Sequence, residues 1–266
     1  MAKALALVAQ PDLAGRVLAV EKDGFAYLPR VLDAEQVAEL RAHMEALEPL
    51  AASFDTDRTM KRDGRLERAV NNAFNRDRYF ARFLDYPAVV ELAEALHGED
   101  CHVIAMTSWL TGPGRPDQQL HADWQPLAMP SEVMANPRVR VPVFISTAHF
   151  YLDDMSEELG PTRVVAGSHR AGHRPNGAAS WQGNEEESIL CASGDVVMFR
   201  SEMWHRGTSN HSHQVRYLLQ VHYAQRMIAQ KFPPYLNRFQ FDAQLLLQAT
   251  PRQLRLLGDH VSSNYD

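Results

Sequence analysis

Apolar residues recur at helical spacing along Leu32, Val37, Leu40, Met44 and Leu47, and Asp33 with Gln36 three residues on has the form of a capping box. A helix over 33–47 is therefore predicted. Just before it, Gly24-Phe-Ala-Tyr-Leu-Pro alternates like a short strand. A second helix is predicted from Pro87 to Leu96, with proline in its first turn. The stretch from Ser53 to Arg68 is polar, charged and without period, which reads as a loop long enough to form a lid or an active-site wall. The texture changes near His102. His102 to Leu110, Arg138 to Leu152, Thr162 to Val165, Asp195 to Phe199 and Val215 to Tyr223 are short, β-branched and aromatic runs separated by Gly, Pro, Asn and Ser. The tail from Phe241 to Leu257 returns to helical spacing, with Pro251 opening a second short helix. The expected architecture is mainly β with flanking helices. Residues 1–100 form a mainly helical part, 101–225 a closed or two-sheet β core, and 226–266 a helical tail, all in one domain.

Composition narrows the class. The chain of 266 residues is 45% hydrophobic and 23% charged, as ordinary globular proteins are. The apolar start Ala4 to Ala9 stops at Gln10-Pro11-Asp12, far short of the roughly 18 residues of a membrane span and too short for a signal peptide. A soluble, cytoplasmic protein is expected, with no membrane partner. The formal net charge of −6 disfavours a phosphate backbone, so nucleic acid is not an expected partner. Cys101 and Cys191 have no CxxC companion, which argues against a zinc ribbon or a disulfide framework. Twelve histidines are many for this length, and they point toward metal chemistry.

The most informative stretch is Gln118-Gln-Leu-His121-Ala-Asp123-Trp. On a strand, residues two apart share a face, so His121 and Asp123 can reach one ion. A third ligand from a distant strand is offered by His205. Two histidines and a carboxylate on one face of a metal leave open positions, as in non-haem Fe(II) oxygenases. An isolated His-x-Asp is also common in surfaces and cores. His102, His149, His169 and His222 are eligible as histidines, and zinc hydrolases use the same donor set. Arg216, eleven residues after His205, suits a fork that pairs with a dicarboxylate, or else a plain salt bridge.

Four motifs in order carry a family resemblance. They are Gln-x-x-His-x-Asp at 118–123, the run from Tyr151 through Gly160-Pro-Thr-Arg to Gly167-Ser-His169, Gly194-Asp-Val-Val-Met-Phe, and His205-Arg-Gly-x-x-Asn210 followed by Arg216. Together with the opening Asp23-Gly-Phe-Ala-Tyr-Leu-Pro, the chain resembles the phytanoyl-CoA dioxygenase family from about Asp23 to Tyr223. The resemblance implies a double-stranded β-helix (jelly-roll, cupin-like) core. It implies Fe(II) held by His121, Asp123 and His205, with 2-oxoglutarate as cosubstrate and O2 as oxidant. It places the distal carboxylate of 2-oxoglutarate on Arg216, with Gln118 and Thr162 contributing, and with Asn72 or its neighbour Asn71 in a supporting role. The retained Asp123 argues against halogenation, which needs a small residue there. Ala166 stands where the family usually has proline, which affects only turn rigidity.

Several features have plainer readings. His169 is expected to stabilise its turn, His211 and His213 to be solvated, and Glu185-Glu-Glu to be a solvated loop. Trp109, Trp124 and Tyr151 are candidate pocket walls for a small-molecule substrate, as is the long stretch Pro126 to Val141. A CoA thioester substrate would find its best basic cluster in Lys61, Arg62, Arg65 and Arg68. The expected activity is hydroxylation of an unactivated C–H bond, with desaturation or cyclisation as other outcomes. The rival from another class is a non-oxidative metal protein on the same barrel, a zinc hydrolase, an isomerase or a binding module.

Overall fold

The computed structural model describes residues 2–48, 58–62, 65–125, 129–134, 136, 138–231 and 240–261, with backbone alone over 58–62 and 65–66. Its scaffold is a seven-stranded sheet built around two long strands, β5 (His102–Thr111) and β11 (Arg216–Ala224). They pair antiparallel from Arg216↔Thr111 to Ala224↔His102, with a register shift between His222 and Tyr223. On the far side of β11 lies β6 (Ile145–Tyr151), then β9 (Val196–Arg200) and β2 (Phe25–Leu28). On the far side of β5 lies the hairpin of β4 (Arg65–Asn71) and β3 (Arg58–Arg62). A four-stranded sheet packs against it, in the order β1 (Lys3–Ala4), β8 (Glu186–Ser188), β7 (Thr162–Val165) and β10 (His205–Gly207). Two sheets with helices on one side match the expected mainly β, jelly-roll-type core.

Strand alternation sorts the side chains of the large sheet. Along β11, Tyr217, Leu219, Val221 and Tyr223 face outward into the main core. There they meet α2 (Ala34–Ala46), through Leu40 and Met44, and α3 (Pro87–His97), through Val89 and Leu92. The alternate set on β11 faces the small sheet, where Leu218 joins Tyr151, Val197 and Phe199 from the large sheet, Val164 from the small one and Ile189 just after β8. The α2 start forms as the sequence predicts: the Asp33 carboxylate accepts from the Gln36 backbone at 2.8 Å, and the Gln36 side chain accepts from the Asp33 backbone at 3.0 Å. The tail supplies α5 (Ala243–Gln248) and α6 (Pro251–Leu256), again as expected. No helix among the described residues is long and apolar enough to cross a membrane.

Three expectations need correction. The segment from Ser53 to Arg68 holds β3 and most of β4 rather than a loop, because β4 pairs with β5 from Glu67↔Thr111 to Asn71↔Thr107. Residues 1–100 accordingly contribute strands to both sheets as well as helices, including α1 (Leu13–Lys22), which had no clear apolar period to announce it. Glu186 and Glu187 lie on β8 and are ion-paired rather than freely solvated. Glu186 meets Arg206 at 2.6 Å and Glu187 meets Lys3 at 3.1 Å.

The motif Gly194-Asp195 closes the fold at one edge. Both Val31 and Leu32 donate to the Gly194 carbonyl at 2.9 Å, and Gly194 donates to the Tyr151 carbonyl at 2.8 Å. The buried Asp195 carboxylate accepts from the Tyr27 hydroxyl, the Arg30 backbone and the Ala192 backbone at 2.7–2.9 Å. Gly194 has φ +89°, and a Cβ there would lie 2.2 Å from the Leu32 carbonyl oxygen. Gly194→Ala is therefore expected to destabilise the fold by about 1–3 kcal/mol, read as a lower denaturation midpoint.

A second expectation concerns acid. Buried His97 donates from Nδ1 to the Val143 carbonyl at 2.9 Å, and the Ser146 hydroxyl donates to its Nε2 at 2.8 Å. Burial pushes its pKa down to about 4 from the ordinary 6.5. The unfolded chain takes up this proton first, so the contribution is intact above pH 6.5 and is lost as pH falls toward 4, by up to about 3 kcal/mol. Denaturation at pH 7 and pH 5 should show a smaller acid loss in His97→Gln than in the parent.

Candidate metal centre and its cavity

A single bridge in the backbone brings the candidate ligands together. His121 donates to the His205 carbonyl at 3.0 Å, and His205 donates back to the His121 carbonyl at 2.8 Å. His121 thus sits in an isolated antiparallel bridge beside β10, and Asp123 lies in the bend that follows, not on a common strand as the spacing suggested. The Gln118 backbone donates to the Gly207 carbonyl at 2.9 Å, and the Gly207 backbone donates to Gln118 Oε1 at 2.8 Å. These bonds tie the whole 118–123 segment to β10.

Donor atoms of His121, Asp123 and His205 lie within 4.8 Å of one another. Asp123 Oδ1 is 3.6 Å from His121 Nε2 and 3.7 Å from His205 Nε2. Each imidazole is oriented from behind. His121 Nδ1 donates to the Gln119 carbonyl at 2.8 Å, and His205 Nδ1 donates to the Met203 carbonyl at 2.9 Å. With the proton on Nδ1, both Nε2 lone pairs face the carboxylate, which is how a second partner fixes a metal-ligating histidine. Burial alone would raise the Asp123 pKa. The flanking His205 and His121 instead hold it far below the usual carboxylate range, so it is an anion. The Asp123 hydrogen bond raises His121, while burial lowers His205. Two imidazole nitrogens and one anionic oxygen, facing a cavity on the other side, fit a divalent transition metal with open positions.

The three ligands open into a cavity of about 290 Å³. Its wall on the large sheet is the inward set of β11, namely Arg216, Leu218, Gln220 and His222. Arg216 is its most unusual member. The side chain is buried, and its nearest hydrogen-bond partner is the Thr111 hydroxyl at 3.3 Å. Its Nε and Nη1 have no partner among the described residues. Burial, then the nearby Arg115, pushes its pKa down to about 10, which still leaves a cation at neutral pH. Arg115 itself is matched, with Nε 2.7 Å from the Glu67 carboxylate. A buried cation with unused donors is a strong pull on an anion, because an unpaired buried charge is costly.

Farther along the wall a polar chain is ordered by donor logic. Trp109 Nε1 donates to Gln220 Oε1 at 2.7 Å, which turns the Gln220 amide nitrogen toward His149 Nε2 at 2.9 Å. His149 Nε2 is then the acceptor. Burial holds His149 well below the ordinary histidine range and His222 down to about 3, so both are neutral.

The remaining expectations divide. Gln118, Thr162, Arg216 and Trp109 line the cavity. Of the adjacent asparagines, Asn71 lines it and accepts from the Thr107 hydroxyl at 2.8 Å, whereas Asn72 caps a 3-10 turn with φ 53° and does not line it. Tyr151 is part of the apolar layer between the sheets, and Trp124 packs against Ile104, Ile145 and Ala224, so neither forms the cavity wall. His169 is buried in its turn, with Nε2 3.2 Å from the Glu21 carbonyl, and His211 and His213 are exposed, all as expected. Of the proposed CoA cluster, Arg68 donates to the Met44 and Glu45 carbonyls at 2.9 Å, and the side chains of Lys61, Arg62 and Arg65 lie outside the described residues. Sequence reasoning missed Arg115, Thr111, Gln220 and Lys231 as lining residues, and it named His149 and His222 only as eligible ligands, whereas they line the cavity wall. The polar alternation Arg216, Gln220, His222 inside a β-branched strand was the signal for part of that set.

Comparison with known proteins shows the family and the fold. The chain matches the phytanoyl-CoA dioxygenase (PhyH) family over residues 20–218 and belongs to that family. It is 24% identical over 254 residues to an uncharacterized protein of Mycobacterium tuberculosis, covering 91% of this chain and 86% of that protein. It is 28% identical over 156 residues to L-proline trans-4-hydroxylase of Streptomyces griseoviridis, covering 57% of this chain and 53% of that enzyme. Among solved structures, the non-haem α-ketoglutarate-dependent epimerase SnoN from nogalamycin biosynthesis superposes with a TM-score of 0.64 at 20% identity, over 80% of this chain and 81% of that one. HygX from Streptomyces hygroscopicus, solved with nickel and 2-oxoglutarate bound, gives 0.62 at 16% identity, over 81% and 88%. At these identities the structural likeness establishes the shared fold.

The ligand geometry makes a direct prediction. His121→Ala, Asp123→Ala and His205→Ala should each weaken Fe(II) binding by about a hundredfold or more in anaerobic titration, with little change in the folding midpoint of the metal-free protein.

Proposed function

We propose that this protein is an Fe(II)- and 2-oxoglutarate-dependent dioxygenase that hydroxylates an unactivated C–H bond of a small molecule in specialised metabolism. The observation that carries the reading is the pairing, in one cavity, of the His121–Asp123–His205 cluster with the buried, unmatched guanidinium of Arg216. The cluster suits Fe(II). The guanidinium suits the far carboxylate of a diacid whose keto-acid end sits at the metal. A zinc hydrolase or isomerase needs no dicarboxylate cosubstrate for its cation to clamp, which stands against the non-oxidative reading.

When bound, Fe(II) and the keto-diacid would, together with O2, supply an oxidant able to remove hydrogen from carbon, the diacid leaving as succinate and CO2. The chain's own residues do the rest. His121 and His205 hold their lone pairs on the metal because Gln119 and Met203 carbonyls occupy the other nitrogens. Arg216, with Thr111 and the cavity-lining Thr162, gives the diacid a fixed orientation. The Trp109–Gln220–His149 chain stiffens the same large-sheet wall farther along from Arg216, so the substrate meets a preset polar surface. Whether hydroxylation, desaturation or ring formation follows depends on which hydrogen that surface presents. The structural neighbours include an epimerase and a carbocyclase, so the fold accommodates more than one outcome. Two free, buried cysteines agree with a reducing cytoplasm.

Arg216→Gln should raise the Kd for 2-oxoglutarate by at least about 30-fold, the equivalent of about 2 kcal/mol for a lost buried charge pair, while Fe(II) affinity stays the same. Anaerobic titration monitored by the visible band of the iron–keto-acid pair checks both. Absence of that band in the parent protein would favour the non-oxidative reading. Product mass assigns the outcome: a gain of one oxygen means hydroxylation and a loss of two hydrogens means desaturation or cyclisation.

A further inference from the structure

Besides Arg216 and Arg115, the cavity has a third cation, at the end remote from Arg216. On β11, Arg216 and His222 point to the same face six residues apart, which at the rise of a strand is about 20 Å. Lys231 reaches the cavity at the His222 end. Its backbone donates to the Ile104 carbonyl at 2.8 Å, next to Ala105, which is the register partner of His222. Lys231 is solvent-exposed, lines the cavity, and its charge bears on His222. Among the described residues that ammonium has neither a hydrogen-bond partner nor an ion-pair partner.

A charge balance then follows, resting on the function proposed above. Arg115 is balanced by Glu67. A divalent metal is balanced by Asp123 and the keto-acid carboxylate, and Arg216 by the far carboxylate of the same diacid. One further cation that lines the cavity has no carboxylate partner among the described residues, the solvent-exposed Lys231. The rest of the wall is mostly polar and neutral, with Trp109 and Leu218 as its main apolar surfaces. The volume of about 290 Å³ lies at the lower limit of small-molecule sites, about 300–1,000 Å³, and the diacid must share it.

We infer that the primary substrate is a small, polar monocarboxylic acid whose carboxylate pairs with Lys231, which thereby positions the substrate and sets its class. A hydrocarbon chain or a CoA thioester meets neither the polarity nor the size of this space. A unit charge on the ligand matches the single uncompensated cation, and a phosphoryl dianion does not. In a chain of net charge −6, a local cation is also what draws an anion in.

The test uses the full-length protein loaded anaerobically with Fe(II) and 2-oxoglutarate, and reads binding by calorimetry. The probes are small hydroxy acids and N-acetyl amino acids with uncharged side chains, their carboxamides, and glycerol phosphate. Expected is at least one acid that binds while its amide does not, with affinity falling about tenfold or more in Lys231→Gln and returning in Lys231→Arg. The Kd for 2-oxoglutarate should be the same in all three proteins. Acids and amides bound alike, no acid bound, preferential binding of the phosphate, or an acid held equally by Lys231→Gln would each overturn the inference. Failure of the parent protein to bind 2-oxoglutarate would overturn the proposed function itself, and the inference with it. Intact cosubstrate binding with no acid preference would remove the Lys231 assignment alone.

Discussion

Two reciprocal backbone hydrogen bonds between His121 and His205 hold the centre of this molecule together. Everything at the site depends on them. They join a segment that has no strand of its own to the edge of the four-stranded sheet, and they set both imidazoles side by side with ring centroids 4.5 Å apart. The carbonyls of Gln119 and Met203 then fix the rings, each from the residue two positions before its histidine. Local backbone geometry thus orients the nitrogen donors before any metal arrives, and Asp123 follows from the bend. The entropy of assembling three ligands is met by folding rather than by the metal.

The large sheet divides its labour by the twofold period of a strand. One face of β11 is Tyr217, Leu219, Val221 and Tyr223, buried against helices, and it supplies cohesion. The other carries Arg216, Gln220 and His222 into a cavity, at a cost in desolvation that the apolar face offsets. The Arg216 guanidinium is the extreme case, since the protein buries a cation and leaves two of its nitrogens unmatched. Such a group weakens the empty protein and strengthens the complex with an anion. That is the behaviour of a binding site rather than of a structural ion pair. The neighbouring Arg115–Glu67 pair shows the contrast, because there the same burial is met by a carboxylate at 2.7 Å.

Much of this was legible in the linear sequence, and the misses have physical reasons. The capping box at Asp33 and the proline-initiated helix at Pro87 depend on local chemistry, and both formed as expected. The β-branched runs that became β5, β6, β7, β9 and β11 depend on burial within sheets and were equally plain. The hairpin of β3 and β4 was not, since its charged residues form strands only because β5 offers an edge to pair with. The same holds for the acidic β8. At the site, motif spacing singled out His121, Asp123, His205 and Arg216, while the choice between Asn71 and Asn72 turned on a left-handed backbone at Asn72 that no local signal marked. Trp124 and Tyr151 went to apolar layers because large aromatic rings beside a motif are as useful for packing as for a pocket wall. Arg115 and Lys231 were missed because their roles come from loops folding back over the sheet.

The most direct measurement of the central claim is a crystal structure grown anaerobically with Fe(II) and 2-oxoglutarate. The account predicts one iron peak within ordinary coordination distance, about 2.0–2.2 Å, of His121 Nε2, His205 Nε2 and an Asp123 oxygen, with the diacid extending from it to Arg216. An iron held elsewhere, or a diacid whose far carboxylate leaves Arg216 still unmatched, would contradict it.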